Sequence, residues 1–152
     1  MKAADNTFGF DEAEDSPGFL LWQVTALWQR EIRKALEVHG ITHSQFVLMA
    51  SIHWLTLHGK EVTQIVLSSA TKIDPMTTST VLRTLQTKGL VQRQEHATDT
   101  RAKTVALTDA GKEVIKKAVV TVESFDEQFF APLGKATSSF NKQLMALLES
   151  SK

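Results

Sequence analysis

Apolar residues recur along this chain mostly at the three-to-four-residue period of a helix, and in one short region at the two-residue period of a strand. Ser16-Pro17 pairs an N-cap with proline at the first helical position, where the missing N–H costs nothing. Leu20, Val24, Leu27 and Leu21, Trp28, Ala35 then repeat at helical spacing, and Gly40 is placed to stop a first helix that spans about 17–39. Thr42 and Gln45 form a T-x-x-Q capping box for a second helix, about 43–58. Its apolar residues between Phe46 and Leu57 occupy nearly all sides, so it belongs in the middle of the fold.

Gly59 ends that helix, and Val62 to Thr71 predicts a short third one. Asp74-Pro75 repeats the cap-then-proline start signal and opens a fourth helix running to Lys88, with Gly89 as its stop. Two short helices about three residues apart make a helix-turn-helix pattern. Val91–Glu95 and Lys103–Leu107 read as strands, the second alternating Val105 and Leu107 against Thr104 and Ala106, and the polar stretch between them is the loop of a hairpin, or wing. Thr108 and Asp109 cap a long helix that Pro132 interrupts, and a last helix starts near Ser138. The expected fold is mainly α with one small β-hairpin.

The chain has 152 residues, 42% hydrophobic and 22% charged, which suits one globular unit over 16–152 behind an acidic flexible tail at 1–15. The most apolar stretch, Phe46 to Leu57, is too short to span a bilayer, and the N-terminus turns acidic where a secretory signal needs an apolar core. A cytoplasmic location is the expectation. With no cysteine, disulfides, thiolate metal sites and thiol redox sensing are excluded. A net charge of zero sits awkwardly with a polyanionic partner until its distribution is considered. Residues 1–15 carry one lysine against five acids, whereas residues 76–107 carry five basic residues against two acids. The second segment is the surface that suits an anion.

In the fourth helix Thr78, Val81, Leu82 and Leu85 form the inward stripe. The opposite face carries Met76, Ser79, Thr80, Arg83 and Thr87: thin hydroxyls and one arginine, able to enter a major groove. A bare Thr-rich face with no partner is the other reading. Threonine and serine are poor helix formers, so their run from Thr77 to Thr80 favours contact with double-stranded DNA.

The run D-P-M-T-T-S-T-V-L-R-T-L-Q-T-K-G-L-V from Asp74 to Val91, then Arg93, D-T-R at Asp99 to Arg101 and V-A-L-T-D-A-G at Val105 to Gly111, resembles the MarR family of bacterial regulators. The joint spacing of L-x-x-x-G-L-V-x-R, D-x-R and L-T-x-x-G carries the resemblance, which extends over almost the whole chain after the tail. It implies a winged helix-turn-helix DNA-binding lobe (about 43–108) and a homodimer held by helices at about 17–39 and 109–150. It implies that Ser79, Thr80 and Arg83 make major-groove or backbone contacts and that Arg101 enters the minor groove braced by Asp99; the residues themselves add Thr77, from the same hydroxyl run, and Lys103, on the same basic side. Arg93 is either structural or a phosphate contact. Thr80 departs from the longer polar or basic residue of many members, so the operator sequence does not carry over. Many members are repressors released by small aromatic or phenolic ligands.

The apolar stripes of the terminal helices, with Leu20, Leu27, Val119, Val122, Phe140, Leu144 and Leu148, are expected to pair in a homodimer that binds a pseudo-palindromic operator. Trp22, Trp28 and Trp54 lie on helices that should meet and line either an effector pocket, with Trp22 and Trp54 as its candidate contacts, or ordinary core and dimer contacts. The five histidines lack metal-ligand spacing and read as packing or surface residues, so no metal or cofactor is expected. No catalytic motif is present, which argues against an enzyme. The rival is a winged-helix module that binds protein in place of DNA.

Overall fold

A computed structural model describes residues 5–95, Thr98 and 103–151. The elements run α1 (Pro17–Leu36), α2 (His43–Leu57), α3 (Gln64–Thr71), α4 (Pro75–Thr87), β1 (Val91–Glu95), β2 (Lys103–Leu107), α5 (Asp109–Phe130) and α6 (Thr137–Ser150), with short 3-10 turns at Ala13–Asp15, Glu37–His39 and Ala131–Ala136. Each expected element is present. Ser16 caps α1 through the Phe19 N–H, and Thr42 and Gln45 make the reciprocal capping box of α2.

The core lies between Ile32 and Val122. α2 supplies Leu48, Met49 and Ile52, α4 supplies Leu82 and Leu85, the hairpin adds Val91, Val105 and Leu107, and α5 closes the core with Ile115, Ala118 and Val122. The expectation that Val122 pairs in a homodimer is therefore corrected: it is buried within its own chain. Ile115, Ala118 and Val122 form the stripe that covers the chain's own core, and Val119 packs partly against it.

The hairpin is antiparallel, pairing Val91 with Leu107 and Glu95 with Lys103. It gains a third edge that the hydrophobic pattern concealed: Val105 N–H donates to the Val62 carbonyl, and Thr63 bridges Thr104. Val62 thus lies outside the helix, and α3 starts at Gln64 behind the extended Thr63 N-cap.

Two glycines fix the joint between α4, the hairpin and α5. Gly89 takes φ +76° at the end of α4, and Leu90 N–H bonds back to the Leu85 carbonyl. Gly111 lets α5 lie against the chain at Leu90, where a Cβ would run into the Leu90 carbonyl oxygen. Thr108 holds the same joint: its N–H donates to that oxygen, its hydroxyl to the Gly89 carbonyl, and its Oγ1 caps Gly111 N–H. The T-x-x-G spacing is the chemical requirement of this close approach.

Candidate nucleic-acid interface

The candidate reading surface is built on the turn between α3 and α4. Lys72 ends α3 in the left-handed region at φ 63°, a conformation that costs a non-glycine residue about 1 kcal/mol. Hydrogen bonds hold the turn in place. Ser68 Oγ donates to the Ile73 carbonyl at 2.6 Å, buried Thr78 donates to the same oxygen at 3.3 Å, and Ile73 N–H donates to Thr71 Oγ1. Asp74 then caps α4, accepting from the Thr77 N–H at 2.8 Å and the Thr77 hydroxyl at 2.7 Å. Those two bonds favour the carboxylate and hold Asp74 below the ordinary aspartate pKa.

α4 buries Thr78, Leu82 and Leu85 and turns Met76, Thr80, Arg83 and Thr87 outward, as the stripe pattern predicts. Thr77 is exposed, with its hydroxyl proton committed to the Asp74 carboxylate. Ser79 is half-buried. Arg83 is exposed and its guanidinium makes no hydrogen bond or ion pair among the described residues, so its fork of donors is available to an anion or a base edge.

Arg93 differs. It is half-buried, its Nε donates to Gln86 Oε1 at 3.0 Å and its Nη1 to Gln64 Oε1 at 2.9 Å, so one guanidinium ties the hairpin to α4 and α3 together. Lys103 is exposed at the mouth of β2, in register with Glu95. Asp99 and Arg101 lie outside the described residues.

The glutamine partners Gln64 and Gln86, which make Arg93 a structural strut, escaped sequence reasoning because they are 29 and 7 residues away from it. Lys88 escaped it as well. Its ammonium donates to the Gly40 carbonyl at 2.6 Å and to Gln45 Oε1 at 3.2 Å, fixing the end of α4 to the joint between the first two helices.

The tryptophans occupy different settings. Trp28 is half-buried, its Nε1–H donating to Asp126 at 2.9 Å while the His43 ring meets it edge-on. Trp22 is 73% exposed on α1, and Trp54 is 64% exposed, stacked on His58 at 4.1 Å. Neither lines the cleft of about 440 Å³ between the end of α5 and α6, nor that of about 620 Å³ under residues 5–19. His39 bonds Thr121 Oγ1 at 2.7 Å, and among the described residues no three potential ligands approach closely enough to hold a metal ion.

Residues 37–124 match the family described as ArnR1-like, winged-helix domain. An HTH-type transcriptional regulator of Bacillus subtilis, YdcH, is 41% identical over 140 residues, covering 92% of this chain and 95% of that protein. The chain belongs to the MarR family of winged helix-turn-helix transcriptional regulators. Structures of this fold superpose closely. MepR of S. aureus, crystallised with DNA, gives a TM-score of 0.80 at 21% identity, with 93% of this chain and 100% of that one covered. Apo MarR of E. coli gives 0.68 at 22%, covering 88% and 96%. No described helix is long and apolar enough to cross a membrane.

Proposed function

We propose that this MarR-family chain is a cytoplasmic repressor that binds duplex DNA as a homodimer, laying α4 of each protomer in the major groove of one half of a pseudo-palindrome. The observation that carries the reading is the outer face of α4. Its inner face is committed to the core and its start is fixed by Asp74, while Arg83 is held by nothing among the described residues. A surface preorganised this far, with an unpaired guanidinium, fits an anionic duplex better than a protein partner.

α1 and α6 support the dimer. No residue of α6 is buried, and Leu144, Met145, Leu147 and Leu148 are exposed along it, as are Phe19 to Trp22 along α1. A second copy covering both sets would remove apolar surface that neither helix can bury by itself. With two protomers related by a two-fold axis, the half-sites lie about 10 bp apart, one helical turn.

The wing completes the reading head, with Arg101 in the minor groove and Asp99 limiting the rotamers it gives up on binding. The effector reading rests on the resemblance: an aromatic acid or phenol near Trp22 or Trp54 that prefers the non-binding dimer. Gel shifts at low salt test the whole reading. Mixed duplex should be retained, and Arg101→Ala should weaken binding by about 1–3 kcal/mol with unchanged melting. Asp99→Ala should weaken it more mildly. If Asp99→Ala tightens binding, simple charge governs the wing and the brace is wrong; no retention of any duplex leaves the protein-binding module as the better reading.

A further inference from the structure

The threonines of α4 have already used their hydroxyl protons. Thr80 Oγ1 donates to the Met76 carbonyl at 3.0 Å, Thr84 Oγ1 to the Thr80 carbonyl at 3.3 Å, and Thr87 Oγ1 to the Arg83 carbonyl at 3.1 Å. Thr77 has given its proton to Asp74, and Thr78 points its own at Ile73 inside the protein. A hydroxyl carries one donor. The exposed Thr77, Thr80, Thr84 and Thr87 therefore offer a groove their γ-methyl groups and leftover acceptor lone pairs. The polar face foreseen from the residue names is, in chemical terms, largely a methyl face.

Spacing concentrates this effect. Met76, Thr80, Arg83 and Thr87 stand at i, i+4, i+7 and i+11, one stripe along the helix. Met76 at its start is 81% exposed, an unusual position for a large apolar thioether. The stripe thus presents thioether, methyl, guanidinium, methyl. In the major groove the thymine C5-methyl is the apolar feature that distinguishes a base pair, and guanine O6 and N7 are the acceptors an arginine fork matches. Any acceptor left on Thr80 suits an amino group, such as adenine N6, on the strand opposite that thymine.

We infer that α4 selects its operator through thymine methyl groups packed against Met76 and Thr80, with Arg83 supplying the guanine contact, so that each half-site is an A·T-rich segment containing one required guanine. The inference rests on the DNA-binding reading and goes beyond it by naming the chemistry of the sequence that is read.

The test starts from duplexes that the full-length protein selects out of a randomised pool. In a selected half-site each thymine is replaced singly by uracil, which removes one methyl and leaves the pairing intact. At least one thymine per half-site should prove sensitive, with binding about 3- to 5-fold weaker for the loss of a buried methyl. Thr80→Ser, which keeps the hydroxyl and drops the methyl, should erase the sensitivity at one position, whereas Thr80→Val should retain it. Uracil tolerated at every position, or sensitivity that survives Thr80→Ser and vanishes in Thr80→Val, overturns methyl readout while the DNA-binding reading stands. A selection that enriches no sequence, with no duplex retained even at low salt, overturns both.

Discussion

Residues 32–122 and the two flanking stretches, 17–31 and 123–150, are built from similar helices yet treat apolar surface in opposite ways. Among the described residues, every buried hydrophobic side chain lies in the first region. The flanks bury none and leave Phe19, Leu20, Leu21, Trp22, Leu147 and Leu148 exposed. The central region is a finished unit whose reading helix is held by its own core. The flanks leave an apolar face open, the surface that the proposed homodimer would cover. The difference separates two sets of residues that a sequence mixes: apolar residues that fold the monomer, and apolar residues left free for the proposed assembly.

The largest expected effect lies in the central region. Leu48→Ala removes a fully buried side chain, and a loss of about 3–5 kcal/mol is expected on chemical denaturation. A loss below about 1 kcal/mol would mean that the core is looser than its burial implies. The matching change in the flank, Leu148→Glu, should leave the helical circular dichroism of the chain in place while shifting sedimentation from dimer to monomer. If it unfolds the chain instead, the two regions are one cooperative unit and the contrast fails.

On the reading surface the expected effects are smaller and leave melting untouched. Arg83→Ala should weaken operator binding by about 1–3 kcal/mol and relax the preference for guanine. Lys103→Ala should act more weakly and uniformly across sequences, lowering the salt slope by about one unit. Equal losses on operator and mixed duplex for Arg83→Ala would reduce that residue to a phosphate contact.

The smallest effect is a pH dependence where the two regions meet. Burial pushes the His43 imidazole below its ordinary value of 6.5, with Asp126 pulling the other way. The unfolded chain then takes up the proton first, so the stability held above about pH 6.5 falls as pH drops through the lower folded value. Melting temperature should decline over that window, and His43→Phe, which keeps an edge contact to Trp28, should flatten the decline. A profile identical in the variant would assign the dependence to other groups.

Much of this was legible in the sequence because local rules governed it. Ser16-Pro17, the Thr42 and Gln45 box, Asp74-Pro75 and the Gly89 stop each act within a few residues, and the elements begin and end there. Long-range chemistry was not legible. Val62 left the third helix for the sheet because β2 offered its backbone a partner, and Val122 turned inward because α5 covers the core with one stripe of its surface. The Arg93 strut depends on glutamines on two other helices. The run Thr77 to Thr80 drew attention to α4 by composition, but only the geometry shows that Thr78 turns inward and where the hydroxyl protons go.

Footprinting of a selected duplex with the full-length protein tests the central claim most directly, since it reads assembly and recognition together. The account predicts two protected segments centred about 10 bp apart on one side of the helix, both lost with Leu148→Glu at concentrations where the wild-type chain protects fully. A single protected segment that Leu148→Glu leaves unchanged would contradict it, showing that the central region binds DNA without the partner that the exposed flanks require.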